Sequence, residues 1–180
     1  MPDDELLLQS RIFRVVRRKY VLENGKPAEK DCILHPGAVA IVPLLADGRV
    51  CLIRNRRVTV EKTLLEIPAG TLDVGEDPDQ CAVRELAEET GYQAGRWQKL
   101  TEFYMSPGIL NERMHVYLAT ELQPGSAHRE ATEEIDNELV PWSEALDMIR
   151  RGEIDDGKTI AALLMVQQFY PAATSPGPRP

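Results

Sequence analysis

Apolar positions along the chain follow two different spacings, and together they outline the fold. Ile12, Phe13, Val15, Val16, Tyr20 and Leu22 predict a strand over residues 12–22. Asn24-Gly25 follows as a hairpin turn, and a second strand is expected over residues 28–34. Residues 1–10 are expected to be a frayed or short helical lead-in. The mostly apolar run 37–44 predicts a buried central strand. Asp47-Gly48 turns the chain, and residues 50–54 are expected to return as that strand's hairpin partner.

The spacing then changes and predicts a helix over residues 78–90. Asp77 can cap its first free N–H groups, and Pro78 suits the first helical position. Gln80 allows a capping box, and Gly91 suits a left-handed stop. At about 100° per residue, Ala82, Val83, Leu86 and Thr90 share one face, with Glu85, Glu88 and Glu89 crowded opposite. Two further strands, 100–105 and 113–119, are expected around a loop at 106–112. A polar, acidic connection fills 122–135, too long for a tight turn. A short strand follows at 138–142. Ser143 is expected to cap a helix ending before Gly152, and residues 159–170 form an amphipathic helix ended by Pro171. The Pro/Gly/Ser-rich stretch 172–180 reads as a disordered tail. Strands early, one helix in the middle and more helices late imply an α+β or mixed α/β layered domain.

Composition narrows the partners. A chain of 180 residues is long enough for one self-sufficient core. Its formal net charge of −8 argues against nucleic acid or an anionic membrane as partner. A phosphate substrate would then require cations that reverse the local field. Three cysteines without a CxxC pair read as small buried hydrophobes in a reducing compartment, hence a cytoplasmic location. The acidic start carries no signal-peptide pattern, and no apolar run reaches the roughly 20 residues of a membrane span.

Glu85, Glu88 and Glu89 carry the candidate chemistry. Three carboxylates on one helical arc repel one another, at a few tenths of a kcal/mol per pair. They form either a solvated acidic face or a site for a hard divalent cation such as Mg²⁺. The surrounding pattern favours the cation. Gly70, Glu76, then Arg84-Glu85-Leu86-Ala87-Glu88-Glu89-Thr90-Gly91 resembles the Nudix box, the signature of hydrolases acting on nucleoside diphosphates linked to another moiety. Tyr92 stands where that family usually has an aliphatic residue.

The resemblance implies a Nudix α/β/α sandwich with a mixed sheet over residues 36–171, preceded by an N-terminal β-hairpin arm over residues 1–35. It also implies Glu85 and Glu89 as principal ligands of Mg²⁺ or Mn²⁺, with Glu88 ancillary and the Ala69 carbonyl a further donor. Arg84 would pair with Glu76 and hold the box's loop to its helix. Three features resemble the ADP-ribose pyrophosphatase branch: His35-Pro36-Gly37-Ala38-Val39; Arg54-Asn55-Arg56-Arg57 with Leu65-Glu66-Ile67-Pro68-Ala69-Gly70; and Ser106-Pro107-Gly108. Asn55 and Arg56 depart from the pair usual there. This branch implies Arg57, Glu66 and Pro107 as substrate-binding residues.

In that branch the water-activating carboxylate lies on the long acidic loop, where Glu130, Glu133 and Glu134 are eligible, with Glu133 or Glu134 favoured. Glu88 and Glu112 are the fallbacks. Phe13, Tyr20 and Tyr104 are candidate adenine stackers, although core packing is the plainer role for each. The basic arm, with Arg11, Arg14, Arg17, Arg18 and Lys19, either shields an edge strand or serves a homodimer in which Arg14 and Phe13 touch substrate. The implied reaction is Mg²⁺-dependent hydrolysis of ADP-ribose to AMP and ribose 5-phosphate. Alternatives are another nucleoside diphosphate sugar such as GDP-mannose, a nucleoside triphosphate, or a non-catalytic metabolite-binding regulator.

Overall fold

A computed structural model describes residues 4–127 and 135–174. The chain opens with three strands, β1 (Asp4–Gln9), β2 (Arg14–Val21) and β3 (Pro27–Leu34), which form their own antiparallel sheet. Residues 4–9 are therefore a strand and not a helical lead-in. Their backbone pairs with β2 from Asp4↔Arg18 to Gln9↔Arg14, and a two-toothed Asp4–Arg18 ion pair locks the end of that ladder. Gly25 makes the β2–β3 turn at φ +79°.

The core begins with β4 (Ala38–Pro43), in which all six residues are buried. Next come β5 (Arg49–Arg57), β6 (Lys62–Glu66), β7 (Ala69–Thr71) and α1 (Pro78–Thr90). β8 (Tyr92–Tyr104) and β9 (Arg113–Pro124) follow, then β10 (Ile135–Pro141), α2 (Trp142–Arg151), α3 (Gly157–Phe169) and the short α4 (Pro171–Thr174). The central sheet runs β7-β4-β9-β8, with β4 and β9 parallel and the other pairs antiparallel. A second sheet runs β10-β5-β6. β5 is thus not the ladder partner of β4. Both edges of β4 are already taken by β7 and β9, so the two strands share a single bridge, Leu44↔Val50, before parting.

Alternation along β4 and β9 feeds two apolar layers. Val39, Ile41, Tyr117 and Ala119 face α1, where they meet Cys81, Ala82 and Leu86. Ala40, Val42, Val116 and Leu118 face the other way, toward Leu52 and Ile67 and toward Ala162, Leu163 and Val166 of α3. Each large aliphatic side chain buried in these layers contributes about 1.5–3 kcal/mol. The architecture is the mixed sheet between helices that the family resemblance implied.

Helix ends follow local chemistry with one exception. Asp77 accepts the Asp79 N–H at 2.8 Å, and Gly91 closes α1 at φ +77°. Asp156 caps α3. α2 starts one residue before Ser143, at Trp142 behind Pro141, without a side-chain cap. The expected face of α1 is also rotated. Val83 is half exposed, whereas Glu85 and Glu89 are buried beside Ala82 and Leu86. β7 lies across that side of the helix, so the acidic arc faces protein and a cavity, not open solvent. Pro171 does not end ordered structure but opens α4, and residues 175–180 of the expected tail lie outside the described residues.

Gly91 carries a second constraint, because a Cβ there would meet the Ala127 nitrogen at 2.8 Å and the Gly125 oxygen at 3.0 Å. Gly91→Ala should cost about 1–3 kcal/mol through the left-handed backbone and this backbone contact. Urea unfolding that shows no loss of stability would contradict this account.

Candidate active site

One cavity of about 1140 Å³ gathers most of the candidate chemistry. Glu85, Glu88 and Glu89 of α1 form one wall with Ala69 and Gly70 of β7. Arg14 and Arg18 of β2, Arg11 from the β1–β2 connection and Arg57 from the end of β5 also line it. A net-acidic chain thus concentrates cations at one place.

The box's loop and helix are tied together by short polar contacts. Glu89 accepts the Ala69 N–H at 2.9 Å. The Glu85 carboxylate occupies the space a side chain at position 70 would fill, since a Cβ on Gly70 would lie 1.9 Å from it. Only glycine permits that approach. Arg84 joins the rest. Its Nε and Nη2 reach the two carboxylate oxygens of Glu76 at 2.9 Å each. Its Nη1 reaches Glu85 at 2.7 Å and Glu88 at 3.0 Å. Glu76 also accepts the Asp73 N–H at 2.9 Å. The Arg84 hydrogen bonds, joined by that backbone bond, hold the Glu76 carboxyl down at about 2. Arg84 is raised in return, chiefly by Glu76. Burial pushes the Cys81 thiol beneath it up to about 12. Cys81 and Cys51 are buried, while Cys32 is only half-buried.

The donors suit a hard divalent cation in kind. Two buried carboxylates, a third more exposed one and a backbone segment brought close by Gly70 lie on one cavity wall. No three His, Cys, Asp or Glu side chains among the described residues are disposed to close on one ion, and the Arg84 guanidinium lies between Glu85 and Glu88.

The other candidates fall in three places. Arg57 lines the cavity and grips Glu66 through two bonds of 2.9 and 2.7 Å. Glu66 itself is fully buried behind it. Arg14 lines the same cavity, whereas Phe13 is partly exposed on the arm next to it. Pro107 lines a smaller cavity of about 320 Å³ with Tyr104, bordered by Arg18, Leu34 and Asn111, which both cavities share. Glu130, Glu133 and Glu134 lie outside the described residues.

Some participants gave no sequence signal. Asn111 accepts the His35 N–H at 2.7 Å, and its own N–H donates to the Ile33 carbonyl at 3.1 Å, so it moors the arm to the 106–112 loop. Lys158 reaches Glu66 across 92 positions of sequence.

A NUDIX domain model matches residues 34–170, and the chain belongs to the Nudix hydrolase family. Enzymes of this family generally use divalent metals such as Mg²⁺. The chain is 37% identical over 165 residues to the ADP-ribose pyrophosphatase of Bacillus subtilis (strain 168), covering 91% of this chain and 89% of that one. It is 39% identical over 143 residues to a GDP-mannose pyrophosphatase of Escherichia coli (strain UTI89 / UPEC), covering 74% of each. A solved structure of an ADP compounds hydrolase superimposes with a TM-score of 0.83 at 26% identity, covering 94% of this chain and 92% of the other.

The Glu76–Arg84 pair sets a pH dependence. Glu76 titrates below its ordinary 4.5 in the folded chain, so it stabilises the fold above about pH 4.5, and that gain is lost as pH falls toward about 2. Glu76→Gln has no such gain. The difference in unfolding free energy between parent and Glu76→Gln should therefore shrink steadily over this interval. A pH-independent difference would show that the pair does not titrate as described.

Proposed function

We propose that the protein hydrolyses the diphosphate link of ADP-ribose to AMP and ribose 5-phosphate, with Mg²⁺ or Mn²⁺ as cofactor. The observation that carries this reading is the cavity, in which a carboxylate wall and four arginines line a volume suited to a nucleoside diphosphate sugar. The Bacillus subtilis relative and the ADP compounds hydrolase neighbour support ADP-ribose as substrate. GDP-mannose is the second reading, favoured by the Escherichia coli relative.

In this proposal Glu85, Glu89 and the Ala69 carbonyl hold the cation, with Glu88 beside them. When bound, such an ion neutralises phosphoryl charge and acidifies water. Arg84 keeps Glu85 and Glu88 oriented from its anchor on Glu76. Arg57 and Arg14 bind the diphosphate, Glu66 steadies Arg57, and Phe13 and Pro107 border the nucleoside. Water adds to one phosphorus, the bridging P–O bond breaks, and the water's proton passes to a carboxylate, Glu133 or Glu134. The N-terminal sheet, with Leu6, Leu8, Tyr20 and Val21 exposed, pairs two copies into a homodimer. Light scattering should report twice the chain mass; a monomer would refute the pairing. The three cysteines, without a CxxC pair, suit a reducing cytoplasm. Among the described residues no helix is long and apolar enough to cross a membrane.

Hydrolysis of ADP-ribose, GDP-mannose, NADH and deoxynucleoside triphosphates, with Mg²⁺ and with Mn²⁺, tests the reading. ADP-ribose should have the highest kcat/KM, and a clear preference for another substrate would reassign it. Glu85→Gln and Glu89→Gln should each lower kcat by orders of magnitude without unfolding. Changing the general base to Gln should lower kcat by about 10²–10⁴-fold with little change in KM. If Glu130→Gln, Glu133→Gln and Glu134→Gln all stay within a few-fold of the parent, the base is elsewhere, with Glu88 and Glu112 next in line.

A further inference from the structure

A buried chain of charges links the first turn of α3 to the cavity. The Lys158 ammonium, on a residue only 7% exposed, donates to Glu66 Oε2 at 2.5 Å and lies 3.0 Å from Asp156 Oδ2. Glu66 has no exposed surface, and its two oxygens also take Arg57 Nε and Nη2. Burial alone would push the Glu66 carboxyl up, but the Arg57 and Lys158 cations outweigh it and hold it low. Asp156 meanwhile accepts the Thr159 N–H at 3.0 Å and the Thr159 hydroxyl at 2.6 Å. That hydroxyl oxygen accepts the Ile67 N–H at 3.0 Å, two residues before Ala69. One helix start thus controls both the residue behind Arg57 and the backbone leading to the carboxylate wall.

Stability does not account for this arrangement. Well-packed apolar side chains of similar volume generally serve a core as well as buried ion pairs do. The sharing of Glu66 is informative instead. With Glu66 as its sole partner, Arg57 would be neutralised by one carboxylate. With Lys158 on the same oxygen, the Glu66 carboxylate is shared between two cations, and Asp156 takes part of the Lys158 charge. Arg57 then keeps positive charge on the side that lines the cavity, with Nε and Nη2 turned back to Glu66.

We propose that Lys158 is a positioning residue for substrate recognition: by sharing Glu66 it fixes the attitude of Arg57 and preserves that arginine's charge toward the diphosphate. The inference rests on the reading of the cavity as a nucleoside diphosphate site.

The test is a double-mutant cycle on the full chain. Lys158→Met keeps an unbranched stem as far as Cε and removes the charged ammonium. It should raise KM for ADP-ribose about tenfold or more, with kcat within a few-fold of the parent. In an Arg57→Met background the same substitution should change KM less than twofold, because the group it acts through is gone. Lys158→Gln, which keeps a donor without the charge, carries the same expectation. Multiplicative KM effects, or an unchanged KM in Lys158→Met, would overturn the proposal. So would loss of the fold in both variants, which would make the ammonium purely structural. If the unmodified protein leaves ADP-ribose intact, that result counts against the proposed substrate. The cycle is then read by calorimetric binding of inorganic pyrophosphate, with weaker binding in Lys158→Met only when Arg57 is present.

Discussion

The close approach of α1 to β7 is the contact on which the site depends. Glu85 lies where a side chain at position 70 would be, and Glu89 takes the Ala69 N–H. Two carboxylates are thereby buried against backbone, an expensive placement for charge unless they are hydrogen-bonded and paired. The Ala69 amide meets part of that need at Glu89, and Arg84 meets part of it at Glu85. The loop and helix of the Nudix box act as one body because each satisfies the other's charges.

This arrangement also explains how an acidic chain can present a basic cavity. Its formal charge is −8, yet four arginines from β5 and the N-terminal arm line one opening. Net charge describes the whole surface, whereas recognition depends on the local field. The N-terminal sheet is joined to the core through Ile33, which bonds to Ile109 and Asn111 of the 106–112 loop. The arginines of the arm are thus referred to the same frame as the carboxylates of α1.

Polar contacts recur along the seam between the two sides. Thr159, Lys158, Asp156 and Glu66 bring the start of α3 to the turn between β6 and β7. Asn137 of β10 donates to the Thr90 carbonyl at the end of α1 at 2.7 Å. Tyr117 of β9 holds Asp79 in the first turn of that helix at 2.6 Å. Directional bonds of this kind specify orientation, which apolar packing alone leaves looser.

Local chemistry made much of this readable from sequence. Asp77, Pro78 and Gly91 bounded α1 because caps and stops act over neighbouring residues. The apolar run at 38–43 marked the central strand because a strand covered by an apolar layer on each face is apolar at nearly every position. The spacing of Gly70, Glu76, Arg84, Glu85, Glu88 and Glu89 marked the site, since one loop and one helix carry it. Tertiary structure decided what no local pattern encodes. β5 left β4 because β7 and β9, both distant in sequence from β5's turn, had occupied its edges. Residues 4–9 became a strand because β2 offered a free edge and Arg18 a partner for Asp4. Val83 turned outward and Glu85 inward because β7 covers that side of α1. Lys158 came to Glu66 because α3 folds back across the sheet, a juxtaposition set by packing between segments that share no local pattern.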